Sequence, residues 1–187
     1  MTDLTPLCAL GAPEPRRTAR GALSLTENPD LALASLALRA GGAQPAPFGL
    51  TLPGPGAFNA SGEVLALWTG PGQWMLAAER SPDADFAAEL RAQAPGCSIT
   101  EQTGGWCCVE IASATGAAPL DRLLEKLVNL PPAALCPGRA ARTGLHHLSV
   151  FVIRRSTDRL AVLGMSSAAG SLWHALDAAA LRLESFA

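Results

Sequence analysis

The sequence contains no tyrosine, Lys126 is its only lysine, and aromatic residues make up just 5% of it. The arginines are scattered, and net charge is −2 at neutral pH. Binding a nucleic-acid backbone needs a stripe of cations to neutralise phosphates, and none is present. The five cysteines show no C-x-x-C spacing, and their number is odd. A disulfide framework is therefore not expected, and the pattern fits a reducing compartment. No stretch approaches the ~20 apolar residues of a membrane span. The opening MTDLTPLCALGAPEPRRTARG has no apolar leader segment, and its Arg16-Arg17 pair is not followed by one. These absences predict a cytoplasmic protein.

What is present is an apolar chain. Of 187 residues, 49% are hydrophobic and only 16% charged. A chain of this length buries roughly 70% of its unfolded surface, so it needs no metal or disulfide to hold it. The apolar excess has two readings: surface covered by a partner, or simple abundance of alanine.

The pattern along the chain predicts an α+β protein with mainly antiparallel strands. Residues 1–30, rich in proline, glycine and arginine, read as an extended arm, and 31–187 as one compact domain or two small lobes meeting near 96–114. LALASLALR at 31–39 reads as a buried strand, with a short helix as the alternative. GGAQPAPFGLTLPGPGAFNASG then reads as a long irregular loop. EVLALWTGPGQWMLAA predicts a hairpin over 64–78. SPDADFAAELRAQAPG predicts a helix capped by Ser81, with Pro82 at its first position. Residues 97–102 and 106–112 read as two strands joined at Thr103-Gly104-Gly105, a second hairpin. Leu120, Leu123, Leu124, Leu127 and Val128 form an apolar stripe over 116–130, with Asp121 and Lys126 placed favourably for the helix dipole. Strands over 148–154 and 160–163 precede a helix over 168–183 carrying Leu172, Leu176, Ala180 and Leu183 on one face.

Motifs of chemistry are sparse. Gly70-Pro71-Gly72 and Gly54-Pro55-Gly56 supply a G-x-G, but no third glycine and no helix opening follow. Lys126 lies within the predicted helix, so phosphate cradling fails. His146 and His147 are adjacent and His174 lies far along the chain, a spacing unlike the usual zinc sites. Cys136, before Pro137-Gly138, and His147 could in principle pair as thiol and base, but structural packing is the plainer reading. Adjacent Cys107 and Cys108 would point to opposite faces of a strand and cannot share a metal. The residues offer no catalytic centre.

Taken in series, LWTGPGQWMLAA, ITEQTGGWCCVEIASATGAAPLDRLLEKLVNLPP, CPGRAARTGLHHLSVFVIRR and SSAAGSLWHAL resemble the gamma subunit of heterotetrameric sarcosine oxidase, over about residues 31–183. That family is similar in fold to the folate-binding T-protein of the glycine cleavage system. The resemblance implies a T-protein-like α+β fold with ferredoxin-like βαββαβ elements and antiparallel sheets. It also implies a non-catalytic subunit, partnered by alpha, beta and delta subunits, in a complex that demethylates sarcosine to glycine. The one-carbon unit passes to tetrahydrofolate or leaves as formaldehyde, with hydrogen peroxide as co-product. FAD, FMN, NAD, zinc and tetrahydrofolate are expected on the other subunits and none on this chain. The alternative is a free-standing tetrahydrofolate-binding or one-carbon-transfer protein of T-protein type.

Carried over by position, Gly70, Pro71 and Trp74 match the family's hairpin, while Gly72 and Gln73 replace its two acids. An Asp-Leu-His-Pro pattern becomes Asn129, Leu130, Pro131 and Pro132. Pro137, Gly138, Thr143, Leu145 and His147 match, as do Ser171, Leu172 and Trp173, but an Arg-Ser pair becomes Ser166-Ser167. These losses remove carboxylates and a guanidinium, and they weigh against folate binding by this chain. Trp68, Gly70, Pro71, Trp74, Thr143, His147 and Trp173 are the positions expected to serve structure or a subunit interface. Catalytic, cofactor and metal residues are not expected.

Overall fold

The computed structural model describes residues 5–79 and 84–184. The N-terminal part forms a hairpin of β1 (Arg17–Arg20) and β2 (Leu23–Asn28), then β3 (Leu31–Leu38). The apolar run of β3 is buried along most of its length, which suits a strand flanked on both sides. After the loop come β4 (Phe58–Ser61), β5 (Val64–Gly70), β6 (Gln73–Glu79), α1 (Phe86–Gln93) and β7 (Cys97–Glu101). The C-terminal half runs β8 (Trp106–Ser113), α2 (Ala117–Leu127), β9 (Arg139–Leu145), β10 (Leu148–Arg154), β11 (Arg159–Met165) and α3 (Ala169–Glu184).

The strands form two sheets, in the orders β1-β2-β8-β11-β10-β9 and β4-β5-β6-β3-β7. Each pairing is antiparallel. Strands β6 and β7 both pair with β3 and so run parallel to each other, with α1 as their crossover: a split β-α-β unit. The sheets face one another through Leu33, Leu65, Leu67 and Met75 on one side and Phe151, Ile153 and Leu163 on the other. Helix α1 covers the outer face of the five-stranded sheet, and α2 and α3 cover that of the six-stranded sheet. The result is four layers, helix–sheet–sheet–helix. At one corner the sheets join edge to edge, where Ala140 N–H donates to the Gly56 carbonyl at 3.3 Å.

The predicted stripe on α2 is real: Leu120, Leu123, Leu124 and Leu127 are buried against the six-stranded sheet. On α3, Leu172, Leu176 and Ala180 are buried beside Trp173. The 64–78 hairpin forms with Trp68 opposite Trp74 and a bulge between Trp68 and Gly70. Gly72 at its tip has φ +65°, a conformation that favours glycine.

Four readings of the sequence change. Residues 17–28, read as part of an arm, pair into the six-stranded sheet, because Leu23 and Leu25 need a buried face. Phe58–Ser61 leaves the long loop to form β4, and the rest of that loop is pinned by its own bonds, Asn59 Nδ2–H to the Thr51 carbonyl (2.7 Å) among them. Arg139–Leu145, whose arginines and glycine mask its alternation, is an edge strand. The largest change concerns 97–113, which is not a hairpin: β7 joins one sheet and β8 the other. Ser98, Thr100 and Glu101 of β7 are exposed, as an edge tolerates, whereas Cys107, Cys108 and Val109 are buried on both faces of β8. The intervening turn is anchored on β3, with Leu33 N–H donating to Thr103 Oγ1 at 2.9 Å. Ser81 and Pro82 lie outside the described residues; α1 starts at Phe86 and is capped by Asp85, whose Oδ1 accepts from Ala88 N–H at 2.9 Å.

Candidate functional site

The structure distributes the sequence-selected residues over three places. Trp68, Gly70, Pro71 and Trp74 stay together on the β5–β6 hairpin. Trp74 is buried beneath α1, and its indole N–H donates to the Pro53 carbonyl at 2.8 Å, tying down the long loop. The Thr-Gly-Pro-Gly-Gln connection is thus a corner of this core. Trp173 lies in the opposite outer layer, with the Arg16 guanidinium over its ring at 5.7 Å. Thr143 sits on β9 opposite Val150, and His147 is exposed in the β9–β10 turn. Cys136 precedes β9 and His147 follows it, so the full strand separates that thiol from that base.

No set of three His, Cys, Asp or Glu side chains placed to hold a metal occurs among the described residues. Cys107 and Cys108 face opposite layers, as their adjacency in a strand requires. Burial raises both thiols, Cys108 the more, and keeps them protonated and poor as nucleophiles.

Two arginines at the C-terminal end of β10, Arg154 its last residue and Arg155 the next, organise the polar chemistry between elements. Arg154 is 2% exposed; its Nε–H and Nη2–H donate to the Ser156 and Thr157 carbonyls (2.9 and 2.7 Å), and Asp121 of α2 lies 3.1 Å from Nη2. It clamps the β10–β11 turn to α2 and borders a cavity of about 300 Å3 beside Cys136. Arg155 bridges Glu79 of the five-stranded sheet and Glu110 of the six-stranded sheet, each at 2.7 Å. Burial disfavours its charge, but Glu110 and Glu79 more than offset that and hold it protonated.

A cleft of about 520 Å3 lies beneath the N-terminal segment 6–15, with Leu31, Leu33 and Trp106 in its lining. Glu27 of β2 lines it and is 3% exposed. Its two carboxylate oxygens accept from the backbone N–H groups of Leu10 (2.9 Å) and Arg16 (3.1 Å), fastening the segment over the cleft. Ser166 Oγ, also in the lining, donates to the Gly104 carbonyl at 2.9 Å. Sequence reasoning left Glu27 inside a supposed arm. Its signal was available: Leu23, Leu25 and Glu27 alternate, which places a carboxylate on the apolar face of a strand.

No family model and no curated protein matches the sequence. Solved structures do match. The chain is similar to one in the heterotetrameric sarcosine oxidase from Corynebacterium sp. U-96 in complex with pyrrole 2-carboxylate, with a TM-score of 0.73 and 20% identity, over 89% of this chain and 88% of that one. It is also similar to the glycine cleavage system aminomethyltransferase T from Bartonella henselae, with a TM-score of 0.54 and 16% identity, over 81% of this chain but only 44% of that one. The chain thus has the mixed, mainly antiparallel fold these structures share.

Proposed function

We propose that this chain is a non-catalytic accessory subunit of a sarcosine-oxidase-type complex. The observation carrying this reading is the end-to-end likeness to a chain of a heterotetramer, 88% of which is covered. The match to the aminomethyltransferase spans less than half of that enzyme, which favours a subunit over a free-standing one-carbon transferase. In this reading the alpha, beta and delta subunits are the partners. FAD, FMN, NAD, zinc and tetrahydrofolate belong to them, and the assembly works in the cytoplasm. Gly72, Gln73 and Ser166, standing where the family carries charge, support a structural rather than a folate-binding role.

The test is co-expression with the alpha, beta and delta subunits of a sarcosine-oxidase-type complex, with and without this chain. The reading predicts a flavin-coloured, sarcosine-oxidising complex that loses subunits or activity when this chain is omitted. Full assembly and activity without it would overturn the reading. Saturable tetrahydrofolate binding by the isolated chain would instead support the transferase alternative.

A further inference from the structure

We propose that the cavity beside α2 binds a small neutral molecule that presents one carbonyl oxygen on an alkyl body, the chemistry of a simple amide or lactam. The inference does not depend on assembly with other subunits and starts from one unmet donor. Arg154 is 2% exposed, and its Nε–H and Nη2–H are taken by the Ser156 and Thr157 carbonyls and by Asp121. Its Nη1 is buried as well, and among the described residues it has no hydrogen-bond partner. A buried donor left without an acceptor is costly, and more so on a charged group. Arg154 lines the cavity of about 300 Å3 between α2, the segment that follows it and the β10–β11 turn. An acceptor oxygen entering that cavity meets the guanidinium there.

The remaining walls set the body of the ligand. Val128, Leu130, Pro132 and Leu135 supply apolar surface that suits an alkyl group. Ala117, the first residue of α2, also borders the cavity. Gly116 before it gives no side-chain cap, and the first turn holds no acid. The helix therefore brings an unneutralised positive end to the same space, a second feature that favours an oxygen acceptor. Charge at the rim excludes the ionic classes. Asp121 and Glu125 are exposed on α2, line the cavity and oppose a further carboxylate. The buried guanidinium opposes an ammonium group. A carbonyl oxygen accepts from the guanidinium without adding charge, and it meets neither objection.

The probe is ε-caprolactam, titrated into the full chain and followed in 1H–15N spectra. Acetamide serves as the carbonyl without an alkyl body, and cyclohexanecarboxylate as the anionic counterpart. The expected result is saturable shifts at the Ala117, Val128 and Thr157 amides and at Arg154 Nε–H, with a Kd of about 1–10 mM for so small a ligand. Acetamide and cyclohexanecarboxylate should both bind at least about fivefold more weakly. Glu125→Gln, an exposed change on α2, should strengthen cyclohexanecarboxylate binding about two- to fivefold and leave caprolactam within twofold. Arg154→Lys, which keeps the charge but removes the planar donor, should weaken caprolactam about five- to tenfold. Should that variant fail to fold, Arg154 Nε–H in the unaltered protein decides: a signal unmoved at saturation overturns the proposal. So would the absence of saturable shifts, cyclohexanecarboxylate binding as tightly as caprolactam, or full affinity in a folded Arg154→Lys.

Discussion

His146 occupies the first position of the two-residue β9–β10 turn with φ +51°, a left-handed conformation that costs a non-glycine residue about 1–2 kcal/mol. Glycine adopts it freely but loses more chain entropy on folding, roughly 0.5–1 kcal/mol. His146→Gly should therefore raise unfolding stability by about 0.5–1 kcal/mol, measured by urea denaturation. The buried thiols give a pH signature of defined sign. Burial raises Cys107 and Cys108 in the folded state, so above roughly pH 8.5 the unfolded chain ionises first and stability falls with rising pH. Each thiol contributes a slope of about 1.4 kcal/mol per pH unit until its folded value is passed. Urea midpoints should be level between pH 7 and 8 and fall by pH 10, with a shallower fall in Cys107→Ala. The opposed facing of these cysteines was legible from their adjacency. The strain at His146 was not, because nothing in His-His marks a turn as Asn-Gly would.

Among the elements, those with a strong local pattern were legible: the α2 stripe, the β5–β6 hairpin punctuated by Pro71-Gly72, and the apolar face of α3. Elements fixed by distant partners were not. Arg139–Leu145 is a strand because β10 offers a free edge, and Leu23–Asn28 because β8 does. Gly164 of β11 shows how closely these layers meet. A Cβ there would lie 2.9 Å from Leu172 Cδ2 and 3.6 Å from Val150 Cγ1, so the missing side chain lets α3 settle on the sheet. Gly164→Ala should cost about 1–3 kcal/mol by overpacking. The same change in a Leu172→Ala background should cost less, which thermal unfolding of the four proteins would show. Equal costs in both backgrounds would mean that the contact with Leu172 is not the cause.

For the whole molecule, the decisive feature is the division of β7 and β8 between two facing sheets, which turns a presumed hairpin into the link joining the layers. Sheet membership depends on which strand supplies the partner edge, and local sequence does not encode that. The candidate cleft was hidden for the same reason, since it exists only where the N-terminal segment, β2 and the β7–β8 turn converge. The fold class itself was legible, and the likeness to a sarcosine oxidase chain over 89% of this one agrees with it. The central claim is that the chain works as a subunit. Native mass spectrometry of the protein co-expressed with alpha, beta and delta subunits of a sarcosine-oxidase-type complex tests it most directly. The account predicts one species containing this chain and its flavin-bearing partners. A monomer free of the other subunits, beside a complete complex that lacks it, would contradict the account.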